Sequence, residues 1–208
     1  MTPLILASGN RGKLREFQEF FASLPTPSGW QLQLKPADVE IEETGKTFRE
    51  NAELKARGVA LATGSWALAD DSGLAVVALK GAPGVYSARY APSDGERIAR
   101  VLSELAAIET QQGSINRHAM FACAIALSNP AGEIMALAEG RCRGEILPAP
   151  RGEAGFGYDP IFWDPHLGLT FAEMSVEQKR QVSHRGRALA ALREQLVTLG
   201  ESCSPCQD

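Results

Sequence analysis

The sequence predicts an α/β or α+β domain folded around a mixed β-sheet. Three observations carry that prediction. Short apolar runs alternate with stretches whose apolar residues recur at helical spacing. The 208 residues suffice for one good core and are few for two independent domains. The hydrophobic share of 44% and the charged share of 22% are those of an ordinary globular chain. The net charge of −4 supplies no general basic field for a nucleic acid polymer, so an anionic ligand needs a local cationic cluster. No apolar stretch approaches the roughly 20 residues of a membrane span. The opening "MTPLILASGN" lacks the basic and long apolar regions of a signal peptide. The expectation is a cytoplasmic protein without a membrane partner.

In chain order, "LILAS" is a short apolar strand. After "GNRGK", Leu14, Phe17, Phe21 and Leu24 mark an amphipathic helix. Residues 26–46 form a loop with strand-like pieces. Thr47 and Glu50 make a capping box that starts a helix running to about Thr63. "WALADDSGLAVVAL" predicts strand, turn, strand, and "GAPGVYSARYAPSDG" a loop punctuated by glycine and proline. "ERIARVLSELAAIE" is a helix with Ile98, Val101, Leu102, Leu105 and Ile108 inward. "HAMFACAIALSNPAGEIMALAEGRC" is a hairpin turning at Asn129–Gly132. "PAPRGEAGFGYDPIFW" is a further loop, and "SVEQKRQVSHRGRALAALREQL" is helical. Of the four cysteines, Cys123 lies in an apolar run and Cys142 in a polar one. Cys203 and Cys206 form a lone CxxC without the second pair that a zinc site needs. One domain over residues 1–200, with a disordered tail over 201–208, is expected.

Four stretches carry candidate chemistry. Ser8, Gly9, Asn10, Arg11, Gly12 and Lys13 join a strand to a helix N-terminus. Either the backbone amides, hydroxyl and lysine cradle an anion, or the stretch is a plain turn with an asparagine cap. Glu40, Glu42 and Glu43, with Asp70 and Asp71, form an acidic set. Adjacent carboxylates in an apolar run are costly unless paired or bound to a cation, and carboxylates from two segments can hold Mg²⁺. The alternative is a solvated glutamate face with Asp70 capping a turn. In "GFGYDPIF", small residues beside Phe156 and Tyr158 suit a flat ring stacked on an aromatic face, with Asp159 fixing the exit; a structural loop is the other reading. Lys179, His184 and Arg185 form a basic set. On one continuous helix Lys179 and His184 stand roughly 140° apart. A break at Ser183, capping a new helix, brings His184 and Arg185 to a helix N-terminus facing an anion or a base carbonyl; the alternative is a solvated basic face.

"ASGNRGKLREF", "EETGKTFRENAELKA", "ADDSGLAV", "GAPGVYSARYA", "GFGYDPIF" and "SHRGRAL" together closely resemble the inosine triphosphate pyrophosphatase family, the dITP/XTP pyrophosphatases. The resemblance runs in order from about Leu4 to Leu196. The first loop departs from it slightly, reading SGN where many members read TGN or THN. The resemblance implies a two-lobed α/β fold around a long mixed sheet, usually a homodimer. It also implies Mg²⁺-dependent hydrolysis of ITP, dITP and XTP to the monophosphate and pyrophosphate, with Mn²⁺ able to substitute, which keeps aberrant purines out of DNA and RNA. By position, Ser8, Asn10 and Lys13 resemble triphosphate contacts, Glu42 a metal ligand, and Asp71 both a metal ligand and the proton acceptor. Ser72 resembles a substrate contact. Phe156, Gly157, Tyr158 and Asp159, with Lys179, His184 and Arg185, resemble the nucleotide and base site. The implied reaction is water attack on the α-phosphorus, with Asp71 orienting or deprotonating the water and Lys13 neutralising the leaving pyrophosphate. A related enzyme with another base preference, a non-catalytic nucleotide sensor and a phosphate-cradling structural protein are the rival readings. The intact Asp71, Lys13 and Glu42 speak against the sensor.

Overall fold

The computed structural model describes residues 2–22 and 30–202; Leu24, the Arg11 side chain and the pair Cys203 and Cys206 lie outside what is described. The first strand, β1 (Thr2–Leu6), leads into α1 (Arg11–Ala22) and β2 (Trp30–Leu34). Helix α2 (Phe48–Thr63) follows, then β3 (Trp66–Val76) and α3 (Asp94–Gln112). Strands β4 (His118–Ser128), β5 (Ile134–Ile146), β6 (Phe162–Asp164) and β7 (Leu169–Thr170) precede α4 (Val176–Val182) and α5 (His184–Ser202). The strands form one mixed sheet in the order β2-β1-β3-β4-β5-β6-β7. β1 pairs in parallel with β2 and β3, whereas β6 is antiparallel to both β5 and β7.

Local chemistry explains most of these boundaries. Thr47 caps α2, its hydroxyl accepting the Glu50 N–H at 3.1 Å. The Glu50 carboxylate turns to the Lys46 N–H at 2.6 Å, so the reciprocal half of the expected box goes one residue upstream. Ser93 and Glu96 make a full capping box at the start of α3. The turn between β4 and β5 falls at Asn129, whose side-chain oxygen accepts the Ala131 and Glu133 amides. α1 buries Phe17 and Phe20, while Phe21, assigned inward from the sequence, is only half-buried.

The expected turn inside "WALADDSGLAVVAL" does not exist. β3 runs unbroken through Asp70, Asp71, Ser72 and Gly73, and the chain turns only at Val77–Leu79 in a short 3₁₀ segment. The physical reason is charge compensation: both carboxylates meet lysines, so neither has to leave the strand for water.

The chain groups into two compact units. One is the N-terminal segment through Asp71 with Ala124–Gly140 and the segment from Arg187 onward; the other is Ser72–Cys123 with Arg141–Gly186. In the first unit, Ala52, Ala56, Val59 and Ala60 of α2 pack with Ile5 within β1 and Ala7 just after it, and with Ala67 and Ala69 of β3. Alanines on both sides allow a close helix–sheet approach. Because side chains alternate along a strand, Asp71 shares the face of Ala67 and Ala69, and Asp70 the face of Leu68. The second unit is built on Val101, Leu105, Phe121, Tyr158, Ile161, Phe162 and Phe171. Cys142 also lies inside, 1% exposed, because β5 alternates Cys142 inward with Arg141 and Arg143 outward.

Candidate functional site

In the first unit two lysines meet the two aspartates. Lys13, in the first turn of α1, reaches Asp70 at 2.8 Å, and Asp70 is 1% exposed. Lys55, on the sheet-facing side of α2, reaches Asp71 Oδ1 at 2.8 Å and Glu43 Oε1 at 2.7 Å. One turn earlier on the same helix face, Asn51 donates from Nδ2 to Asp71 Oδ2 at 3.2 Å and accepts the Gly45 N–H at 2.8 Å. Gly45 is required at that approach, because a Cβ there would stand 2.6 Å from Asn51 Oδ1 and 2.9 Å from its backbone nitrogen. Asn51 and Lys55 therefore hold Asp71 from an i, i+4 pair. They carry no assignment in the sequence reading. Their signal was two polar residues on the alanine-rich face of a capped helix.

Electrostatics follow from burial. Burial pushes the Asp71 carboxyl above its ordinary value, and the Lys55 charge and hydrogen bond offset this only in part. Burial opposes the Lys55 ammonium too, but Asp71, Asp70 and Glu43 outweigh it and hold Lys55 charged, above its ordinary value. Asp70, Asp71 and Glu43 against Lys13 and Lys55 leave one net negative charge. Glu42 is exposed, and its neighbour Glu43 is the glutamate that approaches Asp71 through the shared lysine. Among the described residues no group of three or more His, Cys, Asp or Glu side chains is arranged to hold a metal.

The strand–helix loop adopts the capped-turn geometry. Asn10 Oδ1 accepts the Gly12 and Lys13 amides at 2.8 and 3.2 Å, and Ser8 Oγ accepts the Asn10 amide at 3.1 Å. The Gly12 and Lys13 amides are bound to Asn10 here. Ser8 and Gly9 remain accessible, with nothing within 4 Å of where a Gly9 Cβ would lie.

The second unit gathers most of the expected base-site residues. Asp159 Oδ2 accepts the Phe156 N–H at 2.8 Å and the Lys179 ammonium at 2.6 Å. Gly155 at φ 79° makes this possible, since a Cβ there would lie 2.1 Å from the same oxygen. The Lys179 ammonium stands 4.7 Å from the Phe156 ring centroid and the Arg185 guanidinium 5.5 Å from it. Arg185, 3% exposed, also donates to Ser72 Oγ at 2.9 Å. α4 and α5 do break at Ser183, whose backbone is extended and whose hydroxyl accepts the Gly186 N–H at 3.1 Å. That break lets His184 and Lys179 approach one ring: Phe171 lies 6.3 Å from the imidazole and 5.8 Å from the ammonium.

Two assignments change. Tyr158 is not a free stacking face: it is 5% exposed, part of the core, and donates its hydroxyl to the Ser87 carbonyl at 2.8 Å. Burial pushes that phenol well above its ordinary range, as a committed donor requires. His184 does not stand open at a helix end. It is 5% exposed and stacks on Phe121 at 4.5 Å between planes 11° apart. Phe121 covers one face of the imidazole, and Phe171 lies nearly parallel to both rings, 5.7 Å from Phe121.

The comparisons agree with this architecture. A dITP/XTP pyrophosphatase of Nostoc sp. is 56% identical over 196 residues, 94% of this chain and 95% of that one. The Synechocystis sp. protein of the same description is 53% identical over 192 residues, 92% and 94% of the two chains. The structure of a HAM1 protein from Coxiella burnetii matches with a TM-score of 0.81 at 43% identity, over 97% of this chain and 100% of that one. The Staphylococcus aureus Ham1 protein matches at 0.78 and 40% identity, over 96% and 99%. A family model described as the Ham1 family covers residues 4–195. The chain belongs to the Ham1 family.

Proposed function

We propose that the protein is a nucleoside triphosphate pyrophosphatase that hydrolyses dITP, ITP and XTP to the monophosphate and pyrophosphate, clearing aberrant purines from the nucleotide pool. The observation that carries the reading is Asp71: a buried carboxylate, raised by its burial and held at both oxygens by Asn51 and Lys55. A carboxyl so placed is oriented to take a proton from water. The relatives' shared description, dITP/XTP pyrophosphatase, supports the substrate class.

Each residue has a role in this reading. Asp71 orients the attacking water and accepts its proton. Lys55 keeps Asp71 in place before the proton arrives. Lys13, held by Asp70, and the Ser8 hydroxyl meet the triphosphate; Lys13 counters charge on the leaving pyrophosphate. Phe156 offers a face for the base, and Arg185, Lys179 and the edge of His184 supply donors for the C6 carbonyl that distinguishes hypoxanthine and xanthine from adenine. The donor set suits Mg²⁺, or Mn²⁺ in its place: carboxylate oxygens only, with a buried carboxylate that a cation would favour. Mg²⁺ is commonly held by one or two carboxylates plus substrate phosphates. Glu42 and Asp71, with Glu43 adjacent, would hold it, and the ion supplies charge neutralisation of the triphosphate. The protein acts as a cytoplasmic homodimer in this reading.

The test is pyrophosphate release from a panel of nucleoside triphosphates, with and without Mg²⁺. Release from ITP, dITP and XTP at least a hundredfold faster than from ATP and GTP is expected. Equal rates on all purines refute the base assignment, and no release from any refutes the enzyme.

A further inference from the structure

The geometry points to Asp94 as a positioning residue that sets the Phe156 ring and thereby contributes to base selection; this rests on the reading of Phe156 as the base platform. Asp94 lies in the first turn of α3, in the second unit, where its negative charge also suits the helix N-terminus. Its two oxygens have separate tasks. Oδ1 accepts from Arg97 at 2.7 Å, and Arg97 is itself held by the Ala91 carbonyl at 2.8 Å. Oδ2 accepts the N–H of Gly157, 63 residues away in sequence, at 2.8 Å.

That second contact is the unusual one. Phe156 is flanked by two successive backbone N–H groups, its own and that of Gly157. Asp159 takes the first and Asp94 the second, each at 2.8 Å. Gly157 adopts φ 62°, and nothing lies within 4 Å of where its Cβ would stand. A carboxylate from α3 thus restrains the Gly157 peptide across 63 residues of sequence. Tyr158 fixes the next residue through the Ser87 carbonyl. The ring of Phe156 is thus presented from a loop tied to α3 on one side and to Lys179, through Asp159, on the other. A charge-assisted hydrogen bond to a backbone amide is the stronger kind, and losing it changes an equilibrium by about tenfold. Stacking of a base on an aromatic ring is worth a similar factor or more, and a purine overlaps the ring more than a pyrimidine does.

Four variants test this in the full-length protein: Asp94→Ala, Asp94→Asn, Asp94→Glu and Ser93→Ala. Asp94→Ala should raise KM for XTP and ITP about tenfold, leave kcat within about threefold, and shrink the preference for XTP over UTP. It should also speed hydrogen exchange at the Gly157 amide. Asp94→Asn keeps one acceptor oxygen for the two donors, sets its NH2 against Arg97, and should restore KM only in part. Ser93→Ala weakens the start of α3 without touching Gly157 and should leave KM unchanged. If Asp94→Ala does not fold, Asp94→Glu, which keeps the charge and moves the acceptor by one methylene, should show the same rise. Unchanged KM and unchanged exchange overturn the proposal, as does an equal rise in Ser93→Ala or an Asp94→Asn variant no better than Asp94→Ala. If the parent released no pyrophosphate at all, the proposed function would fail, while Gly157 exchange would still decide the anchoring role of Asp94.

Discussion

Asp71 occupies an apolar strand because Lys55 and Asn51 meet it there, and that pairing makes its contribution to stability depend on pH. Its folded carboxyl value lies above the ordinary one, so ionising it costs the native state something that the unfolded chain does not bear. The stability it contributes is full below the ordinary carboxyl range and is lost as pH rises through the raised folded value. Asp71→Asn removes that loss and leaves Lys55 with Glu43. Chemical denaturation in chelator should find the variant as stable as the parent at pH 4 and equal or more stable at pH 8. Its kcat should fall by about 10²–10⁴; more than a tenth of the parental kcat would remove Asp71 from the role of base. Lys55→Met should do the opposite to stability. It strands Asp71 and Glu43 together, at a cost of about 3–5 kcal/mol near neutral pH for an unpaired buried charge. That cost should shrink on acidification, as Asp71 takes up its proton. A loss independent of pH would show that Lys55 serves packing instead.

The helices decide which side chains converge. Asn51 and Lys55 reach Asp71 because α2 lies tightly on an alanine-faced strand, and Gly45 lets the preceding loop meet Asn51. Gly45→Ala should therefore push Asn51 aside and lower kcat by about tenfold or more. The same variant should lose only about 1–3 kcal/mol of stability, the usual cost of overpacking; a full-rate variant would deny Asn51 a part in the reaction. The break at Ser183 sets His184 against the Phe121 ring and Arg185 beside Phe156. His184→Ala should cost about 2–4 kcal/mol through the cavity it leaves. Arg185→Ala should lower kcat/KM for ITP and XTP about tenfold more than for ATP and GTP. Lys13→Ala should instead lower all four alike, because every triphosphate carries the same phosphate chain. A uniform drop with Arg185→Ala would move base reading to Phe156 and Asp159.

For the molecule as a whole, metal dependence is a sharp test. Activity should vanish with chelator and return with Mg²⁺ or Mn²⁺, because the acidic group offers carboxylate oxygens. Metal analysis should find no stoichiometric zinc, since zinc favours clustered thiolates and imidazoles and none is assembled among the described residues. Zinc that tracked with activity would overturn the oxygen-ligand site. Sedimentation equilibrium should report a dimer mass, and a monomer at working concentration would refute the homodimer.

Much of the architecture was legible in the sequence because it rests on local rules. Helical spacing marked α1 and α3, Thr47 began α2, Asn129 turned the β4–β5 connection, and Ser183 split the last two helices. Each depends on backbone amides and their near neighbours, which sequence spacing encodes. The unbroken β3 was not legible. Two aspartates and a glycine read as a turn until lysines 57 and 16 residues upstream neutralise them, and pairing over such separations leaves no periodic trace. The part played by Glu43, the alliance of Asn51 with Lys55, and the burial of Tyr158 and His184 have the same origin. Composition and spacing show which groups are chemically able to act. Burial and long-range pairing decide which of them become structure and which stay available for chemistry, because desolvation is set by the atoms that the fold brings around a side chain.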